Sequence, residues 1–305
     1  MYNSLPKISI VTPSYNQGEF LEETILSVLN QKYPNLEYII VDGGSTDNSV
    51  EIIRKYESKL TWWISEPDNG QAEAINKGIE RATGDIIAFM NSDDTYIQGS
   101  LFAAGHYFAS HPEARWICGH GLMLGLPERP PAFLEVRVPN NLLEVLFKNF
   151  VAFSPASFWK REVFHRYGKF STSYHYCFDV DFYARLLSNG VACVPLNYPI
   201  SSYRLHPGSK TIAFTDSFDK EILAIREKHI TNISSWRIQL EIVKQRCRGA
   251  EHHLYNAISL WRSGNISGGL KALLQTLTFS PMGVIFQIFR WFLRVTMRTT
   301  KIQKN

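Results

Sequence analysis

The sequence predicts an α/β fold, a mostly parallel sheet flanked by helices, with an α-helical extension at its carboxyl end. Three observations predict it. Short β-branched runs alternate with amphipathic stretches from Lys7 onward, the pattern of strands joined by crossover helices. Gly, Ser, Asn and Asp collect where the runs end, which is turn chemistry at a sheet edge. Beyond residue 215 the strand signal disappears. Of the 305 residues 45% are apolar and 20% charged, a balance that excludes a disordered or collagen-like chain. Single cores stop growing at about 250–300 residues. The expected division is therefore a main domain over 1–215 and a smaller helical unit over 216–305.

Lys7–Thr12 (KISIVT) reads as the first strand, Pro13–Gly18 as a turn, and Glu19–Gln31 as a helix with Phe20, Ile25, Val28 and Leu29 near helical spacing. Leu36–Val41 is the second strand, Asn48–Lys59 a helix with Val50, Ile53 and Tyr56 on one face, and Leu60–Ser65 a third strand. Gly70–Ala82 gives another helix. Asp85–Met90 (DIIAFM) is nearly all apolar, as a strand covered on both faces is. From Gly99 to Tyr203 the pattern is less regular, with a strand at Ala114–Cys118, a Pro-rich loop around Pro127–Pro131 and a helix from Asp179 to Asn189.

The net charge of +4 is too mild to point to a polyanion, so no nucleic-acid partner is expected. It hides an asymmetry: residues 1–215 hold 18 basic and 22 acidic side chains, and 216–305 hold 14 and 6. Cys118, Cys177, Cys193 and Cys247 are scattered, with no Cys-x-x-Cys pair, which reads as reduced thiols. Met1–Lys7 is polar and shows no export signal, so the expected location is the cytoplasm. Neither G-x-G-x-x-G nor G-x-x-x-x-G-K-[ST] occurs, so nicotinamide and P-loop chemistry lose ground.

Ligands of open parallel sheets bind beyond the carboxyl ends of the strands. At that edge Val41-Asp42-Gly43-Gly44-Ser45-Thr46-Asp47 follows one strand and precedes a helix. Asp42 there either accepts a hydrogen bond from a nucleobase N–H or only caps the turn, and Asp47 reads as the N-cap of the next helix. Thr12-Pro13-Ser14-Tyr15-Asn16 leaves the first strand at the same edge; a rigid Pro beside small hydroxyls makes a shelf for a flat ring, or simply a turn. Asn91-Ser92-Asp93-Asp94 puts two adjacent carboxylates at the end of an apolar strand, where uncompensated negative charge is costly. A divalent cation resolves the conflict, and hard oxygen ligands favour Mg²⁺ or Mn²⁺. The alternative is a solvated turn.

Together these segments resemble the nucleotide-binding half of the family 2 glycosyltransferases, which have the Rossmann-like GT-A fold. SIVTPSYN (Ser9–Asn16), VDGGSTD (Val41–Asp47), EPDNGQAEAINKGI (Glu66–Ile79) and GDIIAFMNSDD (Gly84–Asp94) occur in the family's order, and the resemblance covers about residues 5–212. It implies that Asp42 binds the base, that Thr12, Pro13 and Tyr15 line the base pocket, and that Asn91, Ser92 and Lys77 join the nucleotide site. It implies Asp93 as metal ligand and Asp94 beside the diphosphate or sugar. Asn91 stands where the family's motif has its first Asp, so metal binding rests mainly on Asp93; Gly43 stands where many relatives have a second Asp.

Asp179, in Tyr176-Cys177-Phe178-Asp179-Val180-Asp181, matches the family's catalytic base, with Phe178 in place of the more usual Glu and Asp181 close to the diphosphate or sugar. Its other reading is a pair of acids favoured at a helix start. Tyr203-Arg204-Leu205-His206-Pro207-Gly208-Ser209-Lys210 resembles the family's closing loop, which implies His206 as a metal ligand and Arg204 and Lys210 at the diphosphate. Ser154, in SPASF, stands where Gln is frequent. Trp62, Trp63, Trp116 and Trp159 fit core packing better than sugar stacking and receive no role.

Leu254–Pro281 resembles one tetratricopeptide-type hairpin, two amphipathic helices joined at Gly264-Asn265. Met282–Met297 is apolar but interrupted by Arg290 and Arg294, which argues against a membrane span. Residues 282–301 fit a basic amphipathic helix on an anionic membrane surface, at the inner face of the cell membrane, or one packed on the protein. The expected function is an inverting, metal-dependent transfer of a sugar from a nucleotide donor, a UDP-sugar favoured, to a glycan or lipid-linked acceptor in surface polysaccharide synthesis. The alternatives are a sugar-nucleotide nucleotidyltransferase and a non-catalytic nucleotide-sugar-binding scaffold.

Overall fold

A computed structural model describes residues 5–125, 130–147, 150, 152–210 and 215–230, with 238, 259, 265–268, 270 and 271. It divides into two compact units, Met1–Thr231 and Asn232–Asn305. In the first unit β1 (Ile8–Ser14), β2 (Leu36–Asp42), β3 (Trp62–Ser65) and β4 (Ile86–Phe89) pair in parallel in the order β3-β2-β1-β4. Every residue of β1 and β4 is buried, which is why β4 reads as an unbroken apolar run, while β1 also buries Ser9, Thr12 and Ser14.

Helices α1 (Gly18–Leu29), α2 (Ser49–Tyr56) and α3 (Gln71–Arg81) connect those strands. Each buries one stripe: Leu21, Ile25 and Val28 from α1, Ile53 and Tyr56 from α2, Ala72, Ile75 and Ile79 from α3. Asp47 departs from a simple N-cap. Asn48 holds the cap position of α2, and the Asp47 carboxylate accepts the Ser49 N–H at 3.0 Å and the Gly18 N–H at 2.9 Å. One carboxylate thus satisfies orphan donors at two helix starts. Burial works against its ionisation, but the Ser49 and Gly18 hydrogen bonds outweigh it and hold its pKa below the ordinary value.

The second half of the sheet changes direction. After the short β5 (Thr95–Tyr96) and α4 (Ser100–Ser110) come β6 (Trp116–Leu124), β7 (Ala132–Leu134), α5 (Leu142–Leu146), β8 (Ser157–Lys160), α6 (Arg161–Tyr167), α7 (Phe178–Ser188) and β9 (Val194–Arg204). The sheet continues as β4-β8-β6-β9-β5, with β7 on β6; β6 and β9 are parallel, whereas β8 runs antiparallel to both β4 and β6. The architecture is therefore a mixed α/β sheet whose parallel pairing is concentrated in the first four strands. Trp116 and Trp159 are fully buried and stacked, with Tyr183 and Phe182 packed against them, so these two tryptophans are core.

Helix α8 (Thr215–Ile230) follows. The division between units falls after Thr231 rather than near residue 215, because α8 buries Ile222 and Ile225 and ties itself to α7. In the second unit Asn265 accepts the Gly268 N–H at 2.9 Å, the bond of a helix N-cap. The remainder of the expected hairpin, the tip of the Pro-rich loop and the terminal helix at 282–301 lie outside the described residues. Among the described residues no helix is long and apolar enough to cross a membrane.

Candidate active site

The first wall of the site is the pair of turns beyond β1 and β2. Ser14 and Asp42 are register partners at the strand ends. The Asp42 carboxylate is fully buried: Oδ2 accepts the Gly44 N–H (3.1 Å), the Ser45 N–H (2.9 Å) and the Ser65 hydroxyl (2.7 Å), and Oδ1 the Ser45 hydroxyl (2.5 Å). Gly44 sits at φ +82°, a left-handed conformation that glycine adopts without cost. The turn-capping role of Asp42 is thus realised, and a base N–H has only the remaining lone pair of Oδ1 to address.

A Cβ at Gly43 would come within 2.8 Å of Asp68 Oδ2, so a carboxylate from another segment fills the space a side chain here would take. Burial raises the pKa of Asp68, as do Glu73 and Asp42 nearby, while the Gly70 N–H and Lys77 oppose them. Asp68 was not singled out by the sequence, although EPDNG is the run that holds it. Asn16 ties the two turns together: its N–H donates to Ser45 Oγ (2.8 Å) and its Oδ1 accepts the Thr46 N–H (2.8 Å). Tyr15 stands out from this lip at 60% exposure. Thr12 and Pro13 do not line it, because both are buried in β1 and the Thr12 hydroxyl is bonded to Tyr38 (3.1 Å).

The second wall is the acidic turn after β4. Thr24, fully buried on α1, donates to the carbonyls of Ser92 (2.9 Å) and Asp94 (2.7 Å) and so fixes the loop. The Asn91 amide donates to Asp94 Oδ2 (2.9 Å) and accepts from Gln71 (2.7 Å). Asp94 points inward, with Oδ1 accepting the Arg204 N–H at 3.0 Å. Burial, and then the charge of Asp93, push its pKa well up. Only Asp93 of this pair is partly exposed, and its Oδ2 lies 3.1 Å from His206 Nε2.

Other expected cations are engaged elsewhere. Arg204 pairs with Glu23 (2.7 Å) and lies over the Phe20 ring, and Lys77 pairs with Glu66 (3.0 Å) and Glu73 (3.3 Å). Asp181 is fully buried against Lys228 (2.8 Å), His229 (3.0 Å) and Arg185 (3.3 Å). Burial alone would raise its pKa, but the His229 and Lys228 hydrogen bonds bring it down to about 2. It joins α7 to α8 and has no open face for a diphosphate.

The third wall is the start of α7. Asp179 Oδ2 accepts the Ser154 hydroxyl (2.5 Å), and Oδ1 accepts the Val180 N–H (2.8 Å). Burial raises its pKa, and Ser154, the Val180 N–H and the charge of Lys210 pull it back. Lys210 bridges α3 and the loop before α7: Nζ donates to Gln71 Oε1 (2.9 Å) and to the His175 carbonyl (3.0 Å). Desolvation lowers its pKa against the fields of Glu221, Asp93, Asp179 and Asp68. A line of hydrogen bonds therefore runs Asp94–Asn91–Gln71–Lys210–His175, from the end of β4 to the loop before α7.

Among the described residues no group of three or more His, Cys, Asp or Glu forms a cage for a metal. The Asp93–His206 pair nevertheless suits a divalent ion. Two neighbouring ligands of an octahedral ion with bonds of about 2.1 Å lie about 3.0 Å apart, and these two donor atoms are 3.1 Å apart. Carboxylate plus imidazole is a donor set that Mn²⁺ accepts more readily than Mg²⁺ does.

The sequence profile of glycosyl transferase family 2 matches residues 9–114. TuaG of Bacillus subtilis, named for teichuronic acid biosynthesis, is 37% identical over 126 residues, 40% of this chain and 50% of TuaG. An uncharacterized glycosyltransferase of Haemophilus influenzae is 44% identical over 94 residues, 30% of this chain and 38% of that protein. This chain thus spans half or less of the length of these two relatives. A PGL/p-HBAD biosynthesis glycosyltransferase of Mycobacterium bovis is 27% identical over 72% of this chain and 83% of its own. Among solved structures, residues 1–349 of S. aureus TarS in complex with UDP align with TM-score 0.57 and 21% identity over 74% of this chain and 66% of that one. The mannosyltransferase PcManGT of Pyrobaculum calidifontis, in complex with GDP-Man and Mn²⁺, aligns with TM-score 0.52 and 17% identity over 90% of this chain and 88% of its own. These two likenesses are of fold. The profile of glycosyl transferase family 2 thus matches the first four strands, and the sheet that continues from them shares the fold of these solved structures.

Proposed function

We propose that this protein transfers one sugar from a nucleotide-diphosphate sugar, a UDP-sugar by preference, to an acceptor hydroxyl with inversion at the anomeric carbon. One observation carries the reading: Asp93 and Asp179, far apart in the chain, both lie in the field of Lys210, at the carboxyl edge of the sheet. That arrangement offers a place for a diphosphate between a metal-ligating carboxylate and a base. The complexes of TarS with UDP and with UDP-GlcNAc favour a uridine donor.

The nucleoside lies against the lip of Tyr15, Asp42 and Asp68, with Asn91 and Ser92 beneath it. Asp93 and His206 would hold a divalent cation, which when bound would supply positive charge to the leaving diphosphate. Lys210 places a second positive charge on the same group. Asp179 takes the acceptor proton as the acceptor oxygen forms its bond to the anomeric carbon; the bond from that carbon to the diphosphate oxygen breaks, and its electron pair leaves with the nucleoside diphosphate. One displacement inverts the centre. The acceptor belongs to surface glycans or lipid-linked glycans, the class that the name of TuaG suggests. The basic pattern of residues 282–301 favours work at the inner face of the cell membrane.

The test is turnover of a panel of nucleotide sugars with and without Mn²⁺, for the wild type and Asp179→Asn. Metal-dependent turnover of at least one donor, lost in Asp179→Asn with donor binding retained, is the expected result. A nucleotidyltransferase would release pyrophosphate from a nucleoside triphosphate instead, and a scaffold would bind donor without turning it over.

A further inference from the structure

Helix α8 lies beyond the segment matched by the family profile, yet it is bound to the chain on both sides of Asp179. On the amino side, Glu221 accepts three successive backbone N–H groups: Oε1 that of His175 (2.8 Å), Oε2 those of Tyr176 (2.9 Å) and Cys177 (2.8 Å). Cys177 is the cap residue of α7 and makes no side-chain capping bond of its own. The donors leading into α7 are therefore satisfied from another helix. On the carboxyl side, Lys228 and His229 reach Asp181 in the first turn of α7. The carbonyl of His175 receives Lys210, so this short loop is held through its N–H groups by α8 and through its carbonyl by that lysine.

We propose that Glu221 is a positioning residue: it fixes the 175–177 loop, and through it sets where the Asp179 carboxylate stands. This rests on Asp179 being the base. Glu221 lies in the field of Lys210 but is bonded to the backbone of the loop, so its loss should displace the base and lower turnover far more than donor affinity. Shifts of about 1 Å in a reacting group cost on the order of 100-fold in rate.

The experiment uses the full chain and compares wild type, Glu221→Ala, Glu221→Gln, Arg226→Ala and Asp179→Asn. Arg226 sits on the same helix but donates to the Leu146 carbonyl, away from the loop. Arg226→Ala therefore reports what loosening α8 alone does. Turnover is measured with the nucleotide sugar that the wild type consumes fastest, donor affinity with UDP and Mn²⁺ by calorimetry, and loop protection by hydrogen exchange. Glu221→Ala is expected to lower kcat by about 10–100-fold, leave the UDP Kd within about threefold and speed exchange at 175–177. Glu221→Gln, which keeps one acceptor oxygen, should fall between it and the wild type, and Arg226→Ala should lower Tm with kcat within about twofold.

Wild-type kcat in Glu221→Ala, or an equal loss of kcat in Arg226→Ala, overturns the proposal. Should Glu221→Ala fail to fold, Glu221→Gln decides on the same criteria. Undiminished turnover in Asp179→Asn removes the base assignment itself, a separate failure.

Discussion

The Ser154 hydroxyl donates a 2.5 Å hydrogen bond to Asp179 Oδ2 and lies 2.9 Å from the hydroxyl of Tyr183. Because Ser154 gives its proton to the carboxylate, it accepts from Tyr183, and the chain of donors runs Tyr183 to Ser154 to Asp179. Burial, and then the charge of Asp179, raise the pKa of Tyr183 well above its ordinary value, so it stays a phenol and a donor. Of the groups that oppose burial at Asp179, the Ser154 hydroxyl acts most strongly.

Removing it should show in the pH profile. The groups around Asp179 that titrate or carry charge are Lys210 and Tyr183, and neither replaces the lost donor. In Ser154→Ala burial is less opposed, the Asp179 pKa rises further and the acid limb of kcat moves to higher pH. A base must be ionised to accept a proton, so the loss is expected below the limb, roughly tenfold or more for a charged hydrogen bond, with the alkaline plateau less affected. An acid limb unmoved from the wild-type position counts against the chain.

Lys210 should matter for donor binding. Four carboxylates, Glu221, Asp93, Asp179 and Asp68, surround it electrostatically. Lys210→Ala leaves them without that cation and removes the charge proposed to meet the diphosphate. UDP affinity measured by calorimetry in Mn²⁺ is expected to fall about 10–100-fold, the loss of roughly 1.5–3 kcal/mol from one charged hydrogen bond. Affinity within twofold of the wild type would place the diphosphate elsewhere.

β1, β2 and β4 were legible because each is buried on both faces, and they lie within two residues of their expected bounds. The antiparallel half was not: β8 is four residues long and stands between two partners given only by tertiary contact. At the site, sequence indicated which residue types gather at the sheet edge but not where their side chains point. Thr12, Arg204 and Asp181 are spent on Tyr38, Glu23 and the α8 cations, and only coordinates reveal such pairings. Thr24, Gln71 and Glu221 went unnoticed because each acts on backbone or amide groups distant in sequence.

The metal pair makes its own prediction. With Asp93 and His206 as the protein's two ligands, UDP affinity should rise on adding Mn²⁺ in the wild type. In Asp93→Asn that gain should vanish; in His206→Ala it should shrink by about tenfold, since one neutral ligand is lost and the carboxylate remains. A Mn²⁺ titration of UDP binding reads both. An undiminished gain in Asp93→Asn would show that the ion is held by other groups.

At the amino ends of the same strands, Glu37 is expected to contribute to acid stability. Its carboxylate accepts from Lys7 Nζ (2.8 Å), Ser9 Oγ (2.5 Å), Thr83 Oγ1 (2.7 Å) and Thr83 N (2.7 Å). Burial works against ionisation, but Lys7, Ser9 and Thr83 prevail and hold the pKa at about 2, below the ordinary 4.5. The folded state therefore binds its proton less readily than the unfolded one does. The stabilisation is complete above about pH 5 and drains away as the pH falls from the unfolded value toward the folded one. Glu37→Gln is expected to cost roughly 1–3 kcal/mol at pH 7, and to flatten the fall of Tm between about pH 5 and pH 2.5. Thermal denaturation across that range measures both, and a Glu37→Gln profile parallel to the wild type would show that other carboxylates set the acid limit.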